Sequence, residues 1–117
     1  MFQQYYDDIA QDTASTGRAM ERLAFQKCIT LLEKAQTAGT GTREAVDALH
    51  FVNRLWTVLL DDLALPDNGL PKELRGKLIS IGIWVLKRAA AIRDGVVSDF
   101  QALIDVCRTV AAGLQVR

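Results

Sequence analysis

The sequence predicts an all-α fold, a compact antiparallel helical bundle of four main helices with a short N-terminal helical segment. Apolar residues recur at three- and four-residue steps without the strict alternation of a half-buried strand. Both prolines fall in one stretch, Leu65-Pro66-Asp67-Asn68-Gly69-Leu70-Pro71, which leaves long uninterrupted segments on either side. Half of the 117 residues are apolar and 24% are charged, a balance that supports one buried core and does not match a disordered tail. Residues 1–14 read as an N-terminal aromatic segment that docks on the bundle or contacts a partner, and residues 15–117 as the bundle domain. Within that domain helices are expected at 16–38, 43–64, 71–94 and 99–113.

The first segment is aromatic. Phe2, Tyr5, Tyr6 and Ile9 fall at i, i+3, i+4 and i+7, with Gln3, Gln4, Asp7 and Asp8 between them. About ten residues cannot sustain a helix alone in water, so the order of this segment depends on the surface that receives its apolar side. It is accordingly a candidate partner contact. In the first long helix Met20, Ala24, Cys28, Leu31, Leu32 and Ala35 form one stripe, widened by Phe25 and Ile29. Gly39-Thr40-Gly41 ends it, and Thr42 is placed to cap the next helix, with Glu44 and Asp47 favouring its positive end. So short a link makes the two helices antiparallel neighbours.

The second helix carries Val46, Leu49, Val52, Trp56, Leu59, Leu60 and Leu63 inward, and His50, Arg54, Thr57 and Asp61 outward. Pro71 suits the first turn of the third helix, where its missing N–H leaves no bond unmade. That helix has one stripe of Leu74, Leu78, Ile81, Val85, Ala89 and Ile92 and a second edge of Ile79, Gly82 and Leu86. So wide an apolar arc predicts a central helix flanked on two sides, and Gly82, costing ~1 kcal/mol relative to alanine, predicts the close approach of a neighbour. Ser98 and Gln101 have the spacing of a capping box for the last helix, whose Leu103, Ile104, Cys107, Val110, Ala111 and Leu114 complete the core.

Several function classes have no support in these residues. Acid–base catalysis needs reactive groups converging in a pocket, and the one histidine, His50, lies on the polar side of a helix. Asp61 and Asp62 are adjacent, so on a helix they diverge by about 100 degrees and cannot clamp a metal between them. There is no phosphate loop and no zinc spacing, so neither an enzyme nor a cofactor is expected. The longest run without charge, Leu78 to Leu86, is far below the roughly 20 residues of a membrane span. No basic residue precedes Arg18 and no apolar leader opens the chain, so a cytoplasmic location is expected. In that compartment Cys28 and Cys107 read as two small core thiols, although a fold that juxtaposed them would allow a disulfide.

Fourteen basic residues balance fourteen acidic ones, yet the charge is segregated. Residues 1–12 carry −3, 13–43 carry +3, 44–70 carry −4, 71–94 carry +4 and 95–117 none. One reading is attraction between alternating helices inside the bundle. The other is an RNA or phosphate patch of Lys72, Arg75, Lys77, Lys87, Arg88 and Arg93, which lacks interleaved aromatics for base stacking apart from Trp84.

The segments Ala48-Leu49, Asn53-Arg54-Leu55-Trp56-Thr57, Asn68-Gly69-Leu70-Pro71, Leu74-Arg75 and Ile81-Gly82-Ile83-Trp84-Val85-Leu86 follow one another in an order and spacing that resembles the FlaF family of flagellar biosynthesis proteins. A tyrosine-bearing start and a C-terminal Ala111-Ala112-Gly113-Leu114 extend the likeness over most of the chain. It departs at Ser15-Thr16-Gly17-Arg18, where the family pattern has a proline-containing helix start. The resemblance marks Leu49, Trp56, Leu70, Pro71, Leu74, Gly82 and Trp84 as motif and core positions. It implies a small cytoplasmic bacterial protein needed for flagellin production and export, acting beside the regulator FlbT, which restrains flagellin synthesis after transcription. In that view it is a flagellin-binding secretion chaperone or adaptor. Grooves between helices suit flagellin's amphipathic terminal segments, with Phe2, Tyr5, Tyr6 and Ile9 bordering or transiently filling the groove. Asn53 and Arg54 are a second pair of candidate contacts, their alternative being hydrogen bonds around the Pro66–Pro71 loop. The rival expectations are an RNA-binding regulator of the flagellin transcript and a scaffold whose partner is FlbT alone.

Overall fold

The computed structural model describes the backbone of residues 14–116 and the side chains of residues 21–113. The aromatic stripe of Phe2, Tyr5, Tyr6 and Ile9 lies outside the described residues. Four helices account for the architecture: α1 (Ala14–Ala38), α2 (Arg43–Ala64), α3 (Lys72–Arg93) and α4 (Gln101–Val116). The all-α bundle expected from periodicity is the fold found, with each helix end within about two or three residues of expectation. The helix α1 begins at Ala14 and runs through Ser15-Thr16-Gly17-Arg18 without a proline start.

The turns follow from local chemistry. Gly39 and Gly41 adopt φ of 100° and 79°, a left-handed backbone that side-chain-bearing residues avoid. The Thr42 hydroxyl accepts from the Ala45 N–H at 3.2 Å and donates to the Gly39 carbonyl at 2.7 Å, so the expected cap is made. Pro71 lies one residue outside α3, as its N-cap, and the Arg75 N–H bonds its carbonyl at 2.9 Å. The Ser98–Gln101 box is not formed. Asp99 Oδ1 accepts from the Gln101 N–H at 2.9 Å, and the Gln101 side chain donates to Asp105 and accepts from Gln36 of α1.

Packing sets the order of the helices. α2 lies against both α1 and α3, α1 also against α4, and α3 and α4 barely touch. From Cys28–Cys107 to Gln36–Gln101 the contacts advance along α1 and retreat along α4, as antiparallel neighbours must, with the Glu33–Arg108 ion pair between the same two helices. The core joins Phe25, Cys28 and Leu32 of α1, Val52, Leu55 and Trp56 of α2, Val85 and Ile92 of α3, and Leu103, Ile104 and Cys107 of α4. Phe25 meets Trp56 edge-on, with ring centroids 5.7 Å apart. Phe100, immediately before α4, is also fully buried, and no periodic stripe had included it.

Two expectations are corrected here. The helix α3 is peripheral, not central: the central pair is α1 and α2, and α3 covers α2 alone along its length. Its wide apolar arc instead divides into a buried face (Gly82, Val85, Ala89, Ile92), a half-buried edge (Leu74, Leu78, Ile81) and an exposed edge (Ile83, Trp84). Val46 is 61% exposed, because the first turn of α2 meets the core through Ala45, 3% exposed, and the next side chain round the helix points about 100 degrees away from it. The expected close approach at Gly82 is found: a methyl group there would lie 2.7 Å from Leu60 Cδ2 and 3.1 Å from Trp56 Cε3.

Candidate functional site

Because α3 and α4 do not close on one another, the bundle has an open seam. A groove of about 520 Å³ runs along it at the end where α1 begins, α2 ends, α3 begins and α4 ends. Phe25, Trp56, Leu59 and Leu63 line it from α1 and α2, Leu74, Leu78 and Ile81 from α3, and Thr109, Val110 and Gly113 from α4. Asn68, Gly69, Leu70 and Pro71 close the end. Two acidic side chains, Glu21 and Asp62, border this otherwise apolar space.

Polar side chains hold the end wall in place. Arg75 donates from Nη2 to the carbonyls of Leu63 at 2.8 Å and Leu65 at 3.1 Å, and from Nε to Leu63 at 3.1 Å. A cation thus satisfies the open carbonyls and the negative end of α2, whose last turn has no basic residue. Asn68 Nδ2 donates to the Asp62 carbonyl at 3.1 Å and to Asp62 Oδ2 at 3.2 Å, and Asn68 Oδ1 accepts from the Leu70 N–H. Burial raises the pKa of Asp62 above the ordinary carboxylate value, Asp67 adds to the rise by repulsion, and the Asn68 bond partly offsets it.

The motif positions divide between this site and other surfaces. Trp56, Leu70, Pro71 and Leu74 gather at the groove, and Gly82 lets α3 approach α2 beside it. Of the positions expected in the core, Trp56 and Gly82 are buried and Leu49, Leu70 and Leu74 half-buried, whereas Pro71 is exposed as the helix cap. Trp84, whose burial helical periodicity leaves open, is 37% exposed on the outer edge of α3 with the Arg88 guanidinium 5.3 Å above its ring. Asn53 and Arg54 are exposed and make no hydrogen bond to the Pro66–Pro71 loop. Asn53 instead lines a smaller cleft of about 290 Å³ with Leu49, His50, Leu86 and Arg93, on the opposite half of the α2–α3 contact.

Sequence reasoning did not place Asp62, Leu78 or Val110 in a site. The signal was present in the broad arc of α3, which has more apolar surface than one neighbour can cover. Cys28 and Cys107 are free and fully buried, with sulfurs 4.0 Å apart. Their mutual hydrogen bond and burial raise Cys28 far above the usual thiol range, so the pair packs as neutral core groups. Among the described residues no three His, Cys, Asp or Glu side chains gather as a metal site requires, and no helix is long and apolar enough to cross a membrane.

The class defined by this geometry is a small all-helical bundle with an open apolar seam. The chain belongs to the FlaF family: the family model of flagellar protein FlaF matches residues 2–114, nearly the whole chain, and gives it a flagellar, regulatory role. Neither the comparison with curated proteins nor that with solved structures gives a match.

Proposed function

We propose that this FlaF protein is a non-enzymatic, cytoplasmic secretion chaperone or adaptor that binds flagellin in the seam between α3 and α4 and acts with an FlbT-type regulator. The observation that carries this reading is the groove itself. Its floor is made of core residues, Phe25 and Trp56, and its walls of the half-buried Leu59, Leu74, Leu78 and Ile81, which no described residue covers on that side. Apolar surface left open in this way typically marks a binding site, and the width of a seam between two helices suits one amphipathic helix. Flagellin's terminal segments polymerise through apolar faces, and a binder that covers those faces keeps the subunit from assembling before export.

The N-terminal segment fits the same scheme. It enters α1 at the end of the bundle where the groove lies, since Glu21 and Phe25 of α1 line it. We assign Phe2, Tyr5, Tyr6 and Ile9, which lie outside the described residues, a further apolar contact with flagellin. The Asn53 and Arg54 pair is exposed beside the second cleft, where we assign it a subsidiary contact with FlbT or flagellin.

Calorimetric titration with purified flagellin tests the site. Leu78→Asp, on a half-buried groove wall, is expected to weaken binding by at least tenfold while the bundle remains folded. Deleting residues 1–12 is expected to weaken it less. Unchanged affinity in Leu78→Asp excludes the groove. The RNA-binding alternative predicts affinity for the flagellin transcript that falls steeply with salt. Three of its six cations are already engaged, Arg75 with carbonyls, Arg88 with Trp84 and Arg93 with Asp94. Co-purification with FlbT but not flagellin would favour the scaffold alternative.

A further inference from the structure

We infer that the groove selects its occupant by charge: Asp62 pairs with a lysine or arginine carried beside the apolar stripe of the helix that docks there. The inference rests on the reading of the groove as a docking site and adds to it the chemistry of the docked segment. Asp62 is half-buried at the groove's end, in the last turn of α2, where the negative end of the helix already disfavours an anion. Among the described residues no cation pairs with it. The ion pairs among the described residues are Arg43–Asp47, Arg93–Asp94 and Arg108–Glu33, and the nearest guanidinium in the wall, Arg75, is committed to the carbonyls of Leu63 and Leu65. Its one side-chain partner is the neutral amide of Asn68, which binds Oδ2 and holds the carboxylate in position. Asp67 stands in the adjoining loop and repels the same carboxylate. A half-buried carboxylate with an acidic neighbour, at the edge of an apolar surface, is complementary to a cation arriving with apolar residues.

The same charge argues against the chain's own start as the occupant. Residues 1–13 carry Asp7, Asp8 and Asp12 and no lysine or arginine, so they bring three further negative charges to an acidic groove. They suit its border better than its floor. A second copy offers the outer edge of α3, where Ile83 and Trp84 lie beside Lys87 and Arg88, but there the Arg88 guanidinium already lies over the Trp84 ring. The partner committed to here is therefore an amphipathic helix of another protein with a basic residue flanking its apolar stripe.

The test titrates the full chain with purified flagellin at low and high salt, comparing wild type with Asp62→Asn, Asp62→Lys and Asp67→Asn. Asp62→Asn is expected to weaken binding by about tenfold and Asp62→Lys by more, because a charge pair partly removed from water is lost or reversed. Asp67→Asn, outside the groove, is expected to change affinity by less than about twofold. The modest salt dependence of the wild-type complex is expected to vanish in Asp62→Asn. Wild-type affinity retained by Asp62→Asn overturns the inference and leaves the groove as the flagellin site, whereas a wild-type chain that ignores flagellin removes both. Should Asp62→Asn fail to fold, a wild-type affinity indifferent to salt overturns it in the same way. Tighter binding on deletion of residues 1–12 would make that segment the groove's resident, and a concentration-dependent dimer dissolved by Asp62→Asn would make it a second copy; either result overturns the choice of partner.

Discussion

Asp62 shows how one side chain can serve binding at the expense of folding. Its pKa is raised in the folded chain, so the folded state takes up a proton at a higher pH than the unfolded state does. Stability from this group is therefore gained as pH falls from neutral through the raised value, and ionised Asp62 destabilises the bundle at neutral pH. Asp62→Asn is expected to be at least as stable as wild type at neutral pH, and to lose that advantage as the pH falls through the raised value, where the wild-type carboxyl becomes neutral as well. Thermal unfolding of both chains across that range checks the sign, and a variant less stable at neutral pH would show that the carboxylate is held for the fold. Sequence reasoning correctly separated Asp61 from Asp62 by their divergence on a helix, and the structure leaves the first exposed and the second half-buried. It could not supply the role of Asp62, because that depends on Asn68 and on the gap beyond α3, neither of which is encoded by helical spacing.

At the scale of elements, the helices were legible because their ends carry local chemistry. Thr42 caps α2 with its own hydroxyl, and the glycines at 39 and 41 supply the left-handed turn before it. Gly82 was legible in the same way, since an unfavourable residue inside a helix calls for a packing reason. The third helix contains a control within itself, for Gly76 has open space around its Cβ position while Gly82 faces Leu60 and Trp56. Gly76→Ala is expected to stabilise the bundle by about 0.5–1 kcal/mol through helix propensity. Gly82→Ala is expected to destabilise it by about 1 kcal/mol net, the overpacking cost exceeding the same propensity gain. Denaturant unfolding of the two variants reads the opposite signs directly, and two gains would mean that the α2–α3 contact has room to spare. What helical periodicity could not tell is which part of an apolar arc is covered. The arc of α3 implied two neighbours, and the structure supplies one neighbour and an opening. Likewise Phe100 is buried from a position just outside a helix, where periodicity gives no information.

For the whole molecule, the order of packing explains the function better than any single residue does. A closed four-helix bundle would hide Leu74, Leu78 and Ile81 against α4, and this one leaves them along a seam next to Trp56. Of the seven motif and core positions that the FlaF resemblance marks, four, Trp56, Leu70, Pro71 and Leu74, meet at this seam, which links the family pattern to one surface. Charge segregation along the chain has a more modest structural role than the alternating pattern suggested. Between α2 and α3 it appears as Arg75 capping carbonyls, and the ion pair that joins two helices, Arg108 with Glu33, belongs to α4 and α1. In the proposed function this opening is covered by an amphipathic helix of flagellin. The most direct test is calorimetric titration of the full chain with purified flagellin over a range of temperatures. Binding is expected with a negative heat-capacity change, the signature of apolar burial, and Leu78→Asp is expected to abolish both the heat and its temperature dependence. Binding with no heat-capacity change, or binding that Leu78→Asp leaves intact, would contradict it.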